Sequence, residues 1–227
     1  MGRRKQTRGK CRFCGRDFTR SGLIRHLAAC PQYQEALLTA NQQPGPVQTL
    51  YHLVVRDAWY GDYWLHLEMN GAATLTDLDH YLRSIWLECC YHLSRFSIGG
   101  WQGQEIPKQR RAEEVFQDGV ELTHIYDFGT SSFTLIKPVD QRQGQPLTKH
   151  PLALLGRNDP PVYPCMECGQ PATWVCMACM IEYDQSGALC DAHADEHSHE
   201  GYGEPMPLVN SPRVGMCGYI GPALPPY

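Results

Sequence analysis

Cysteine and histidine residues gather near both ends of the chain, at spacings that suit a metal ion. Near the N-terminus, Cys11 and Cys14 are separated by two residues, His26 follows after eleven more, and Cys30 after another three. A Cys-x-x-Cys turn points two thiolates inward, and two ligands about one turn apart on a helix reach the same tetrahedral ion. The spacing therefore predicts one zinc ion bound by these four side chains, with a helix over residues 19–29.

A second group of such residues lies between positions 165 and 199. It comprises Cys165, Cys168, Cys176, Cys179, Cys190, His193, His197 and His199. Eight ligands of this kind predict two zinc ions, which makes three in the whole chain. Because about sixty residues with few aliphatic side chains cannot bury enough apolar area to fold alone, we expect these ions to be structural.

Both groups resemble known zinc modules. The N-terminal spacing resembles a CCHC-type zinc finger, with one residue fewer before the histidine than the commoner two-Cys, two-His finger has. The C-terminal spacing resembles a B-box-like cross-brace, in which the first and third ligand pairs hold one ion and the second and fourth pairs hold the other. That resemblance implies one site formed by Cys165, Cys168, Cys190 and His193, and another formed by Cys176, Cys179, His197 and His199.

Other arrangements of the C-terminal ligands stay open. His197 and His199 are one residue apart, so Cys217 is a candidate to replace one of them. Alternatively, the four cysteines between 165 and 179 share a single ion. The adjacent Cys89 and Cys90 are predicted to be buried thiols without a metal.

The charge is distributed unevenly along the chain, whose net charge is -4. Residues 1–30 carry nine lysines and arginines against Asp17, whereas residues 163–227 carry Arg213 against eight acidic residues. The basic end predicts nucleic-acid binding through Arg16, Arg20 and Arg25, assisted by an arm that contains Arg3, Arg4 and Lys5. The alternatives are a solvated tail and a finger that binds only protein. The acidic end disfavours nucleic acid and predicts a protein partner.

The sequence also predicts the cellular compartment of the protein. No apolar run approaches the roughly 18 residues of a membrane helix, and the basic N-terminus leads into no signal peptide. We therefore expect a cytoplasmic protein with no membrane partner. A reducing compartment keeps thiols available as metal ligands, which favours metal sites over disulfides for the 11 cysteines.

The middle of the chain predicts a mixed fold. A linker is expected at residues 41–46, where two prolines flank a glycine. Strands are predicted at 50–55, 63–69, 92–98, 122–126 and 132–139, and a helix is predicted around Leu78 and Leu82. The expected fold class is α+β, with a small core domain (47–155) between a zinc finger (1–40) and a two-zinc domain (160–225). Trp59, Trp64, Trp86 and Trp101 are expected to serve in packing.

Two segments of this middle domain resemble a known family. They are residues 92–100, His-Leu-Ser-Arg-Phe-Ser-Ile-Gly-Gly, and residues 125–129, Ile-Tyr-Asp-Phe-Gly. They are similar to the plasmid pRi open-reading-frame-three-like family, passenger proteins of bacterial insertion elements. The chain departs from the family at Thr130 and Ser131, where an Asp and an aromatic residue are common. The resemblance implies a bacterial host and a plasmid or insertion-element setting.

These features together predict a zinc-binding, non-enzymatic adaptor or regulator that joins nucleic acid to protein. The alternative is a DNA- or nucleotide-processing enzyme with its site in the middle domain, where His92 and Asp127 would act as base and orienting group. A serine recombinase needs a nucleophilic serine clustered with arginines, and Ser94 beside Arg95 makes no such set. We therefore predict no catalytic residue.

Overall fold

The computed structural model describes residues 6–59, 61–199 and 203–222, and within them the fold is mixed α+β, as the sequence predicts. The predicted arm residues Arg3, Arg4 and Lys5 lie outside this range. The larger sheet contains β1 (Arg8–Cys11), β2 (Asp17–Thr19), β3 (Gln48–Asp57), β4 (Trp64–Asn70), β5 (Ser94–Ile98), β6 (Gln104–Ile106), β7 (Leu122–Tyr126), β8 (Ser132–Gly144) and β9 (Leu152–Asn158). The helices that accompany it are α1 (Arg20–Ala29), α2 (Pro31–Asn41), α3 (Leu75–Leu82) and α4 (Ala112–Phe116).

The nine strands form one antiparallel sheet in the order β2-β1-β9-β4-β3-β8-β7-β5-β6. Strand β4 lies inside the sheet, and its residues 64–69 are all buried. Because successive side chains of a strand point to opposite sides, both faces of the sheet are covered there. Leu65 and Leu67 pack into the main core with α3, whereas Trp64 packs against the N-terminal segment. The sheet therefore separates two apolar clusters.

Helix α3 begins where the local sequence supplies a cap. The Thr74 side chain accepts a hydrogen bond from the backbone N–H of Asp77, and the Asp77 carboxylate accepts one from the backbone N–H of Thr74. The helix then continues into a π-helical turn over Arg83–Leu87. Ile85 and Trp86 are buried in that turn, which ends at Leu87, two residues before Cys89.

The N-terminal finger is joined to the sheet through its own hairpin. Strand β1 pairs with β9, with Gly9 opposite Asn158 and Cys11 opposite Gly156. Leu23 from α1 packs in one cluster with Trp64 from β4. Because of this pairing, β1 and β2 of the finger form one edge of the large sheet. The predicted domain boundaries stay predictions.

The C-terminal part has a small sheet of its own. Its elements are β10 (Trp174–Val175), α5 (Met177–Ile181), β11 (Ala188–Leu189), α6 (Asp191–Ala194) and β12 (Met206–Pro207), and the strand order is β11-β10-β12. The buried apolar cluster here is small and half of it is cysteine: Cys165, Cys176, Ala178, Cys179, Leu189 and Ala194. So little apolar burial agrees with the expectation that something other than a hydrophobic core stabilises this part.

Among the described residues, no helix combines the length and the apolar character that crossing a bilayer requires.

Candidate metal centres

All eleven cysteines are free thiols, and each belongs to one of four groups of cysteine and histidine side chains that can hold a metal ion. Within each group the four ligand atoms all lie within 4.8 Å of one another. A tetrahedral zinc ion, with Zn–S bonds of about 2.3 Å and Zn–N bonds of about 2.0–2.1 Å, separates its ligand atoms by roughly 3.3–3.8 Å. The groups thus have the ligand chemistry that zinc prefers, in a space compatible with one metal ion each.

The first group is Cys11, Cys14, His26 and Cys30, the set that the N-terminal spacing predicts. The backbone N–H of Gly15 donates to the carbonyl of Cys11 at 2.9 Å, which closes the turn that carries two of the thiols. Helix α1, capped by the Thr19 side chain, supplies the histidine. The Sγ atom of Cys14 lies 3.2 Å from Nε2 of His26.

The surroundings of the finger group hold its imidazole in the form that binds metal. Burial and the nearby Arg16 lower the pKa of His26, which favours the neutral ring. Phe18 stacks on the same ring, with centroids 4.0 Å apart. Burial raises the pKa of the Cys11 thiol to about 11, and a bound cation offsets that cost because it binds the thiolate.

The second group is Cys165, Cys168, Cys190 and His193. The Sγ atoms of Cys168 and Cys190 are 3.8 Å apart, and Nδ1 of His193 lies 3.2 Å from Sγ of Cys190. Although burial opposes the shift, backbone N–H groups from Cys190, Cys168 and Glu167 lower the pKa of the Cys165 thiol to about 6. That thiol is largely a thiolate at neutral pH, ready to bind an ion.

The third group is Cys176, Cys179, His197 and His199. Sγ of Cys179 lies 3.3 Å from Nε2 of His197 and 3.2 Å from Nε2 of His199, and the two Nε2 atoms are 3.1 Å apart. The close spacing of the two histidines therefore does not prevent them from meeting. The grouping follows the cross-brace order, whereas the four cysteines between 165 and 179 are divided between two groups.

Two expectations about the remaining cysteines need correction. Cys217 does not lie with His197 and His199 but joins Cys89, Cys90 and His92 in the fourth group. Cys90 is exposed and Cys89 is half-buried, so the prediction that both are buried thiols is wrong. The reason is that the π-helical turn ends just before them, and the chain then leaves the core. The short spacing Cys-Cys-x-His is a local signal for this group, but its fourth ligand lies more than a hundred residues away.

The three predicted nucleic-acid residues differ in their surroundings. Arg16 and Arg25 are exposed on the finger. Arg20 is half-buried, and its guanidinium donates to the carbonyl oxygen of Gly61 at 3.2 Å. Burial and the neighbouring Arg56 lower the pKa of Arg20, as expected for a cation packed between protein groups. Arg20 thus contacts the loop between β3 and β4.

His92 and Asp127 do meet, with Nε2 of His92 3.5 Å from a carboxylate oxygen of Asp127. That oxygen is also 2.5 Å from the guanidinium of Arg213, which is fully buried. Burial opposes ionisation, but the hydrogen bonds from Arg213 and the backbone N–H of Gly129 lower the pKa of Asp127. The carboxylate is thus held as the partner of an arginine.

The four tryptophans predicted to pack in the core or at its edge differ in burial. Trp64 and Trp86 are fully buried. Trp59 and Trp101 are 72% and 41% exposed, and both rings have edge contacts with Phe133. They form an aromatic patch at the surface of the sheet.

Comparison with known proteins adds little to these geometric findings. No protein-family model and no curated protein matches the chain. One solved structure, described as a protein of unknown function from Methanosarcina mazei Go1, is similar over 46% of this chain and 66% of that one, at 16% identity and a TM-score of 0.39. This chain thus covers just under two thirds of that protein. Membership of the plasmid pRi open-reading-frame-three-like family stays a prediction.

Proposed function

We propose that the protein is a zinc-binding, non-enzymatic adaptor or regulator that holds three structural zinc ions and joins a nucleic acid to a protein partner. The observation that carries the proposal is the grouping of cysteine and histidine side chains into sets of four, at distances that suit a tetrahedral ion. Each set supplies four protein ligands, which fills the coordination of zinc and leaves no position for a reacting water. Such closed, thiolate-rich sites stabilise folds instead of catalysing reactions.

Zinc is the preferred ion because of the donor atoms. Thiolate sulfur and imidazole nitrogen in a tetrahedral arrangement suit zinc, whereas magnesium and calcium require oxygen ligands. The C-terminal module has the greatest need for the ions, because its apolar cluster consists of six buried residues, three of them cysteines. Metal binding supplies the folding free energy that this cluster lacks.

The finger is the proposed nucleic-acid surface. Lys10, Arg12, Arg16 and Arg25 are exposed there, and Asp17 is the one acidic residue between positions 6 and 30. Cations on an exposed face bind phosphates and release counterions. Arg20 is better assigned to positioning the finger against the sheet, since its guanidinium already contacts Gly61. One such module gives weak, salt-sensitive binding, because a single finger buries only about 600–1,000 Å².

The C-terminal module is the proposed protein-binding surface. Its exposed acidic residues, among them Glu167, Glu182 and Asp184, would repel a polyanion. At the end of α5, Ile181 and Tyr183 are 63% and 54% exposed, which gives an apolar centre with an acidic rim. That combination suits a basic protein surface with an apolar contact.

The resemblance of the middle domain to insertion-element passenger proteins gives the proposal its setting. On that resemblance we place the protein in a bacterial plasmid or insertion element, where a regulator must contact both the element and a host protein. The Tyr-Asp-Phe-Gly segment then has a structural role. Asp127 has a positive φ of 64°, and its carboxylate accepts a hydrogen bond from the backbone N–H of Gly129 and contacts Arg213.

Fluorescence anisotropy of labelled single- and double-stranded DNA and RNA, over a range of salt concentrations, tests the nucleic-acid half. We expect the double variant Arg16→Ala/Arg25→Ala to weaken binding and to reduce the salt slope on duplex DNA by about 0.9 per arginine that contacts a phosphate. His26→Ala should abolish the binding, because the finger loses its ion. Arg110→Ala/Arg111→Ala, which removes two exposed arginines just before α4, serves as the charge-matched control.

Two results would refute this half of the proposal. One is the absence of binding by the full-length protein at low salt. The other is an equal loss in the Arg110→Ala/Arg111→Ala control, because the attraction would then depend on overall charge and not on the finger.

A further inference from the structure

The fourth group of ligands connects parts of the chain that are distant in sequence. Cys89, Cys90 and His92 lie between the π-helical turn and β5, whereas Cys217 lies in the C-terminal segment 203–222. Sγ of Cys90 lies 3.0 Å from Nε2 of His92 and 3.5 Å from Sγ of Cys89. These separations are comparable with those in the other three groups.

A buried arginine contacts two of the thiols in this group. The guanidinium of Arg213 is fully buried and lies 3.5 Å from Sγ of Cys89 and 3.4 Å from Sγ of Cys217. Its charge is shared with Asp127, whose carboxylate it contacts at 2.5 Å. Three thiolates and one divalent cation carry a net charge of -1, so a buried N–H donor of positive charge stabilises the occupied site. Hydrogen bonds to the ligands from outside the set orient them in the same way in known metal sites.

The backbone around the group also departs from ordinary geometry. In the described part of the chain, four residues other than glycine have a positive φ: Tyr91, Asp127, Asp184 and Cys217. Three of the four belong to this group or to its immediate surroundings. Such conformations persist where the rest of the structure imposes them, and they concentrate at functional sites. A metal ion that binds Cys90, His92 and Cys217 at once would impose the conformations of Tyr91 and Cys217.

From this geometry we propose a fourth zinc site, formed by Cys89, Cys90, His92 and Cys217, which fastens the C-terminal segment to the large sheet. The three thiolates and one imidazole suit zinc for the same reasons as in the other groups. Unlike the other groups, this site takes its ligands from two distant parts of the chain, residues 89–92 and Cys217. Two of the ligands, Cys90 and Cys217, are exposed. The ion is therefore accessible to chelators and to competing thiols. The proposal is independent of the three structural ions proposed above.

Metal analysis of the full-length protein, purified with a phosphine reductant that does not compete for zinc as a thiol does, tests the proposal. Native mass spectrometry counts the ions, and elemental analysis identifies them. We expect four zinc ions in the unmodified protein and three in each of the variants Cys217→Ser and His92→Ala. His80→Ala is the matched control: His80 is exposed at the end of α3 and lies in none of the groups, so this variant should keep four.

A second measurement separates loss of this ion from general unfolding. Hydrogen exchange of residues 203–222 should become faster in Cys217→Ser, while β3 and β4 keep their protection. Because the test compares each variant with the unmodified protein, it stands even if the other groups bind fewer than three ions. The proposal fails if Cys217→Ser and His92→Ala bind as many ions as the unmodified protein. It fails equally if the lost ion is not zinc, or if mass spectrometry finds the Cys90 and Cys217 thiols joined as a disulfide under reducing conditions.

Discussion

Two histidines on neighbouring strands of the sheet are held without charge. Nε2 of His52 lies 2.8 Å from Nδ1 of His66, and His66 is fully buried. Burial lowers the pKa of His52 to about 4 and that of His66 to about 3, and the neighbouring His52 lowers the pKa of His66 further. The pair lies on the face of the sheet that meets α1 and α2, so its protonation would act where the finger packs.

The pair makes the stability of the protein depend on pH. An unfolded histidine binds a proton near pH 6.5, whereas these two stay neutral until about pH 4 in the folded protein. The free energy of unfolding should therefore fall as the pH drops from about 6.5 towards 4, by up to about 1.4 kcal/mol per pH unit for each histidine. Above pH 6.5 the pair contributes no such dependence, because both states are neutral.

Urea unfolding at a series of pH values checks this expectation. His66→Asn removes one titrating ring but keeps a polar side chain against His52, so its stability should fall less steeply between pH 6.5 and 4.5. The metal ligands also bind protons in this range, but they do so in both proteins, and the difference isolates the pair. His80→Asn, at an exposed position, should retain the slope of the unmodified protein. Equal slopes for His66→Asn and the unmodified protein would contradict the assignment.

At the scale of the elements, the seam between β1 and β9 depends on two glycines. A methyl group on Gly9 would lie 1.9 Å from the carbonyl oxygen of Arg157, and one on Gly156 would lie 2.8 Å from the carbonyl oxygen of Lys10. Both contacts are closer than atoms allow, so only glycine lets the finger hairpin approach the sheet. These residues attach the finger to the rest of the protein.

Gly9→Ala should therefore loosen the finger. We expect a loss of about 1–3 kcal/mol in the free energy of unfolding, because β1 must move away from β9. Hydrogen exchange should show the change in β1 and β9, with β7 unaffected. Gly129→Ala is the control, since its new methyl group would meet its nearest neighbour at an ordinary 3.4 Å. If Gly9→Ala leaves exchange in β1 unchanged, the seam is not what holds the finger.

The elements that the sequence could predict are those whose signal is local. Strand β7 matches its predicted range, and β3, β4 and α1 differ from theirs by a few residues, because alternation, aromatic content and a capping threonine all lie inside the segment. Strand β9 and helix α2 were not predicted. The β9 sequence, Leu-Ala-Leu-Leu-Gly-Arg-Asn, has no alternation, and it becomes a strand because β1 and β4 pair with its two edges.

The metal ligands, too, could be predicted only where they are close in sequence. Ligands close in sequence are visible as Cys-x-x-Cys and His-x-His spacings, which is why three of the four groups could be predicted. Cys217 is different, because its position depends on how the C-terminal segment returns across the sheet to Cys89 and His92. Nothing near residue 217 in the sequence indicates that return. The contact of Arg213 with Asp127, across 86 positions, is of the same kind.

At the scale of the whole molecule, the parts differ in how much they depend on metal. The large sheet buries an extensive apolar cluster that includes Leu53, Leu65 and Trp86, whereas the apolar cluster of the C-terminal module has six buried residues, three of them cysteines. The finger is intermediate, because Leu23 and Leu27 share a cluster with Trp64 and Leu155 of the sheet. Apolar burial contributes about 25 cal/mol per Å², so the order of intrinsic stability should follow the order of these clusters.

Removal of zinc should therefore unfold the protein in parts. With a strong zinc chelator and a reductant, we expect residues 165–199 to lose hydrogen-exchange protection first and the finger to lose part of its own. Strands β3, β4 and β7 should remain protected, because their stability comes from apolar packing and backbone pairing. Added zinc should restore the lost protection. If β3 and β4 lost protection together with residues 165–199, the ions would be stabilising one cooperative unit, and the C-terminal module could not be a separately folded surface for a protein partner.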